Sequence, residues 1–346
     1  MKKSRRSEKK PTTEQLRKLY EEATEFKKLQ PWKWLYDMDL ICVENPKDGT
    51  VGYCSVMGRG GDHYALGVYL GDKGLMGFIE VLDQEGIPNH QVMHYQDCLM
   101  ASFEDRVLLS PQDRKEIKSL GLSFRGRNAW PVFRRHEEGY HPWYINEEEC
   151  VFLTHALEQT RFVATRVKEG KLPMDMERGQ TILRRSKGQG EHLEWESVKI
   201  QLDIPHREYQ PLIIEDEMLI KKLKNAKSLG GGHLEVDCCF LPGMIQKKRT
   251  DRPYYPKAFL IADHETGMIL KFETYGSKEE DVNMTMNTMI QFCLEIGVPK
   301  KIIVRSAFMQ NVLSDFCRIS GIEIQLSTRL PAIDEMMEAM SRDFNG

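Results

Sequence analysis

Three consecutive glycines, in the stretch "SLGGGHLE" at residues 228–235, constrain this chain more than any other feature. Glycine loses more backbone freedom on folding than any other residue, so three in a row favour a hinge or tight turn over the inside of a helix or strand. They interrupt a helix-like run that ends near Lys227. Beyond them the pattern is simple. "HLEVDCCFLPGMI" and "KAFLIAD" read as strands, and "GMILKFETY" as a third strand after the turn "DHETG". A helix is expected from about Glu279 to Glu295, capped by Ser277 and Glu280, with Val282, Met286, Met289, Ile290 and Cys293 on one face. "KKIIVR" is a strand, "MQNVLSDFCRIS" a helix, "IEIQLS" a strand and "PAIDEMMEAMSRD" the last helix. Parallel strands need crossover connections, so this order predicts a five-stranded mixed sheet with helices on its faces.

The glycines also suggest the domain boundary. Residues 1–11 read as a basic flexible tail, 12–227 as an α+β N-terminal domain with room for two subdomains, and 228–346 as an α/β domain. In the N-terminal part Thr12 or Thr13 can cap a helix whose apolar face includes Leu16, Leu19, Tyr20, Ala23 and Phe26. "DLICVE", "VGYCSVM" and "YALGVYLG" are strand-like runs split by turns. Ser110 and Pro111 start one helix, and Asn146 caps another that carries Cys150, Leu153, Leu157 and Val163. "QTILRRS" and "EWESVKIQL" should form a hairpin.

Composition excludes several classes. Hydrophobic residues make up 40% of the 346 and charged residues 29%, which suits a packed domain and not disorder. No apolar run approaches the roughly 18 residues needed to span a bilayer, so a cytoplasmic protein without a membrane partner is expected. Net charge is −3, which gives no global signature of nucleic-acid binding. A local one exists in "MKKSRRSEKK", read first as a solubilising tail and second as a phosphate-binding arm. The eight cysteines form no CxxC pair and most sit in apolar patterns, as small buried hydrophobes do in a reducing compartment.

The order after Gly232, together with "LEVDCCFLP", "LIADHETGMIL", "GVPKKIIVRSAF" and "FCRISGIEIQLST", resembles the catalytic core of retroviral integrases and bacterial transposases, a branch of the RNase H-like superfamily. The resemblance covers about residues 233–343. It implies that Asp237 is the first metal-binding acid and Glu338 the last, with Pro331 seven residues before it (338 − 331 = 7). The stretch "WPVFRRHEEGYHPWYINEEECVFLTHALEQ" is similar to a motif of uncharacterised bacterial proteins, which implies a bacterial source and no particular activity.

The family reaction needs two magnesium ions about 3.5–4 Å apart, held by acidic side chains. Arg305 stands where the second acid is required. Arginine has no acceptor atom and stays protonated. Two unit charges 4 Å apart interact by about 4 kcal/mol at an effective dielectric of 20, and a divalent ion roughly doubles that repulsion. Asp237 is the natural partner for Arg305, in an ion pair that takes the metal's place. Asp263 is the possible substitute acid, though "DHETG" makes it a turn residue first.

The leading expectation is therefore a non-catalytic RNase H-like binding module without a cofactor, with DNA or RNA as a candidate partner. The alternatives are a magnesium-dependent nuclease or transposase-like enzyme with an altered acidic site, and a protein-interaction or structural protein. The candidate nucleic-acid patch is "QKKRTDRPYYPK", with Lys247, Lys248, Arg249, Arg252 and Lys257 interleaved with Tyr254 and Tyr255. Its plainer reading is a solvated loop. "HEEGYH" spaces His136 and His141 five apart, where a zinc helix needs four. "GRGGDH" at 58–63 lies between two strands and reads as a hairpin turn ahead of a phosphate cradle.

Overall fold

In the computed structural model, residues 9–83, 91–188, 192–203, 211–248, 251–276 and 281–345 are described. Contacts group them into two units, one within Met1–Phe78, Gln96–Glu137 and Pro142–Pro205, the other within Ile79–Tyr95, Glu138–His141 and His206–Gly346. The protein is α+β, with two mixed sheets and eight α-helices among the described residues.

In the first unit, helix α1 (Thr13–Leu29) starts from a capping box in which the Thr12 and Gln15 side chains each bond the other's backbone amide. Strands β1 (Ile41–Glu44), β2 (Val51–Met57) and β3 (Ala65–Leu70) follow, then α2 (Gly71–Asp83), of which the residues up to Phe78 fall in this unit, β4 (Cys98–Glu104), α3 (Pro111–Ser119), β5 (Trp130–His136), α4 (Glu147–Lys168), β6 (Gln180–Lys187) and β7 (Glu194–Gln201). The sheet order is β5-β4-β3-β2-β1-β6-β7. Only β1 and β6 pair in parallel; the other neighbours are antiparallel, including the expected β6–β7 hairpin and the β2–β3 hairpin across "GRGGDH". Asn146 caps α4, which packs on α1 and lays Leu153, Leu157 and Val163 into the core with Val43, Val56, Leu66 and Leu99.

The second unit holds α5 (Glu217–Lys224), β8 (His233–Phe240), β9 (Lys257–Asp263), β10 (Ile269–Tyr275), α6 (Asp281–Glu295), β11 (Lys301–Val304), α7 (Ala307–Ser320), β12 (Glu323–Leu326) and α8 (Pro331–Asn345). Its five strands lie in the order β10-β9-β8-β11-β12, the mixed sheet that the sequence order predicts. β8 and β11 are parallel neighbours, with His233 opposite Lys301 and Val236 opposite Val304. Alternation along the strands sends successive side chains to opposite faces. Val236, Phe259, Ile261, Ile302 and Val304 face α5, α6 and α7, whereas Cys239, Leu260, Ala262 and Ile303 face α8. Cys238 and Cys239 thus point to opposite sides, as adjacency on a strand requires. The capping pair expected at Ser277 and Glu280 lies outside the described residues.

The division of the chain differs from the one expected at 227/228. Helix α5 packs on α6 and α7 and buries Leu223 in their core. The glycines lie inside the second unit. Leu229 donates to the Val298 carbonyl and Val298 to that of Lys227, so the chain is pinned on the near side of the turn that feeds β8. Gly230 takes φ +84° there, a left-handed conformation that suits glycine. Short segments from earlier in the chain also belong to this unit. The Gln91 side-chain amide bonds both the N–H and the carbonyl of Phe240, at 2.9 and 2.8 Å.

Candidate functional site

Asp237 and Arg305 both sit on the α8 side of the sheet, one near the end of β8 and the other just past β11. Parallel register brings them together, because Val236 lies opposite Val304. Arg305 Nε donates to Asp237 Oδ2 at 2.8 Å. Arg305 Nη2 donates to Asp334 Oδ1 at 2.6 Å, and Nη1 to the Thr328 carbonyl at 3.0 Å. The other Asp237 oxygen accepts the Cys238 N–H at 2.9 Å. Asp237 and Arg305 are only 6% and 5% exposed, so the pair is screened from solvent. Burial pushes the Asp237 carboxyl above the usual carboxylate range, against the pull of Arg305 and the Cys238 amide. Burial alone would weaken the hold of Arg305 on its proton, but Asp237 and Asp334 strengthen it.

A second carboxylate lies two residues back on the same face. Glu235 is fully buried. Its Oε2 accepts the Ile333 N–H in the first turn of α8 at 3.1 Å, and its Oε1 lies 2.6 Å from His264 Nδ1. Helix N-termini carry unsatisfied N–H groups and favour negative charge. Asp334 adds to this by accepting the Leu330 N–H at 3.1 Å while holding Arg305. The first turn of α8 is therefore fixed to β8 by Glu235 and, through Asp334 and Arg305, by Asp237.

Two expectations for the acidic site are corrected. Glu338, the last acid that the resemblance implies, is exposed one helical turn beyond Asp334, and it is Asp334, in the first turn of α8, that bonds Arg305. Asp263 cannot complete a site with Asp237. Strand alternation places it with Phe259 and Ile261 on the opposite face, and its Oδ1 accepts the Glu265 and Thr266 amides in the "DHETG" turn. Asp334 and Glu235 were missed by the sequence reading. A helix-start proline with an acid three residues later, and an acid two residues before Asp237 on a strand, are the signals that point to them.

The basic segment is also rearranged. Lys247 and Lys248 are exposed, and Arg249 lies outside the described residues. Arg252 donates to the His141 carbonyl at 2.9 Å and lies over the Tyr140 ring. Tyr254 packs near Tyr140, and the Tyr255 ring lies 4.2 Å from that of His94. Lys257 is buried and bonds Asp281 at 2.6 Å. Both tyrosines are thus packing groups, and Lys257 with Arg305 is withdrawn from the surface. A different cationic cleft opens on the α8 side of β11 and β12, where His233, His264, Lys301, Gln325, Ser327 and Arg329 line a cavity of about 350 Å³. Lys301 also pairs with Glu323 at 2.9 Å.

Among the described residues no group of three or more His, Cys, Asp or Glu is placed to hold a metal ion. The arrangement around Asp237 does not fit the magnesium pair of the integrase-like enzymes, because a guanidinium fills the space between the two carboxylates.

Residues 17–185 match a family described as a domain of unknown function (DUF7309). Residues 219–341 match a second, described as a domain of unknown function (DUF6930). The second match begins within α5, ahead of the triple glycine, in keeping with the packing of that helix. No curated protein matches the chain, and no solved structure does. Among the described residues no helix is long and apolar enough to cross a membrane.

Proposed function

We propose that the second unit is an RNase H-like domain whose acidic centre has become a structural ion-pair lock, and that the protein acts as a non-catalytic module binding nucleic acid. The strand order β10-β9-β8-β11-β12 supports the fold reading. The observation that carries the functional reading is the seat of Arg305 between Asp237 and Asp334. A permanent cation there repels the divalent ions that phosphodiester chemistry in this superfamily requires. The cleft of His233, His264, Lys301 and Arg329 offers donors and positive charge to a phosphate backbone.

Fluorescence anisotropy with labelled single- and double-stranded DNA and RNA tests the binding reading. Affinity should fall as salt rises, and Arg329→Ala with Lys301→Ala should weaken it. Absence of any binding at low salt would reject nucleic acid as the partner and favour a protein-interaction role.

A further inference from the structure

Arg184, on β6 in the first unit, is a buried cation without an acidic partner. It is 5% exposed. Its Nε donates to Gln159 Oε1 at 2.9 Å, Nη1 to Ser197 Oγ at 2.6 Å and Nη2 to the Trp195 carbonyl at 3.4 Å. All three acceptors are neutral, and no carboxylate among the described residues lies within ion-pair distance. The neighbouring acid Glu158 lies 3.8 Å from His155 Nδ1 and reaches Arg184 only through its field, not through an ion pair. A guanidinium has five N–H donors, so two remain for another acceptor. Burial lowers the hold of Arg184 on its proton, Glu158 opposes this from beyond ion-pair distance, and the charge of Arg166 adds to the lowering. Charges taken out of water are ordinarily paired, so this one marks a place for an anion.

The surroundings supply the rest of a site. Arg184 lines a cavity of about 680 Å³ with Arg161, Phe162, Arg166, Lys171 and Trp195. The guanidinium carbons of Arg184 and Arg166 lie 4.3 and 4.9 Å from the centroid of the same Phe162 ring. Arg161 spends one nitrogen on Glu22, at 3.1 Å, while its buried Nε has no hydrogen-bond partner. The lining holds four cations, Arg161, Arg166, Lys171 and Arg184; Arg161 is paired with Glu22 at 3.1 Å and Lys171 with Glu169 at 2.8 Å, which leaves Arg166 and Arg184 without an ion-paired acid, beside Glu158. Basic residues near a helix C-terminus, such as Arg166, are ordinary companions of the helix dipole. Arg184 comes from a strand and is buried, so the dipole does not account for it.

We infer that this pocket binds the dianion of a phosphate monoester. Its oxygens accept from the free N–H groups of Arg184, with Arg166 and Lys171 closing over them, and Trp195 flanks the organic substituent. The site lies wholly in the first unit and is independent of the reading of Asp237 and Arg305.

Isothermal titration of the full chain with inorganic phosphate, adenosine 5′-monophosphate and adenosine tests the inference. The monophosphate and inorganic phosphate should bind, the monophosphate more tightly, and adenosine should not. Arg166→Ala and Lys171→Ala change exposed side chains, and each should raise the Kd at least fivefold while leaving the unliganded melting temperature unchanged. Arg184→Met should abolish binding. Failure of both phosphates to bind the wild type, or equal affinity in Arg166→Ala and Lys171→Ala, would overturn the inference. So would an oligonucleotide without terminal phosphates that binds as tightly as the monophosphate and responds to the same substitutions.

Discussion

Arg305 Nε lies 2.8 Å from Asp237 Oδ2, at the position where the resemblance to integrases calls for a second acid and a pair of magnesium ions. The relationship ties the end of β8 to the end of β11. Through Asp334 it also reaches the first turn of α8. An ion pair of this kind is weak evidence for stability, because desolvation can cancel its attraction. Removing one partner is different, since it leaves a buried charge uncompensated. Arg305→Ala should therefore destabilise the second unit by roughly 3–5 kcal/mol. Urea unfolding followed by far-UV circular dichroism checks this. The double variant Arg305→Met with Asp237→Leu should recover much of the loss, and a double variant as unstable as Arg305→Ala would count against the lock.

Glu235 is the second tie between β8 and α8. Glu235→Ala leaves the Ile333 N–H without its acceptor and should cost about 1–3 kcal/mol. Glu235→Gln keeps an acceptor for that N–H and should cost less. Hydrogen exchange at Ile333 gives a local readout, with faster exchange expected in the alanine variant.

Much of the second unit was legible in the sequence, because its strands and helices alternate with clean periodicity. Ile302, Val304, Phe259 and Ile261 fall on one face and Ile303, Leu260 and Ala262 on the other, as a period of two dictates. The pairing of Asp237 with Arg305 was expected because the resemblance to integrases sets the two at neighbouring strand ends and their charges are opposite. Asp334 was not legible, since choosing it over Glu338 depends on where the first turn of α8 meets the strand ends. Nor was the place of Gln91, whose amide bonds Phe240 from 149 residues away in sequence. The glycine turn was recognised, but a turn inside a unit and a linker between units look alike until the packing of α5 is seen.

In the first unit, acid sensitivity should centre on Asp97 and Asp113. Burial alone would raise the Asp97 pKa, but Arg135 and Lys73 hold it below the usual carboxylate range. Asp113 is likewise raised by burial and lowered further by Arg134 and Ser110. A carboxyl whose folded-state pKa is depressed adds stability that is complete above its unfolded value, near about 4, and is lost as pH falls through the folded value. Urea midpoints for this unit should thus drop below about pH 4. Asp97→Asn should be less stable at neutral pH and show a shallower decline.

The cysteines should be inert in the native protein. Seven of the eight are buried and Cys238 is half-buried. Burial pushes the thiols of Cys54, Cys98, Cys150, Cys238, Cys293 and Cys317 up to about 12. The thiolate is the reactive form. Titration with a disulfide reagent at pH 8 should find almost no reactive thiol before denaturant is added and eight after it.

The central claim is that the Asp237 centre is a lock and does not cut nucleic acid. The most direct measurement incubates purified wild type, Asp237→Ala and Arg305→Asp with single- and double-stranded DNA and RNA, in magnesium or manganese, and follows cleavage on denaturing gels. The account predicts no metal-dependent cleavage by the wild type and none that differs from Asp237→Ala. Wild-type cleavage that disappears in Asp237→Ala would contradict it.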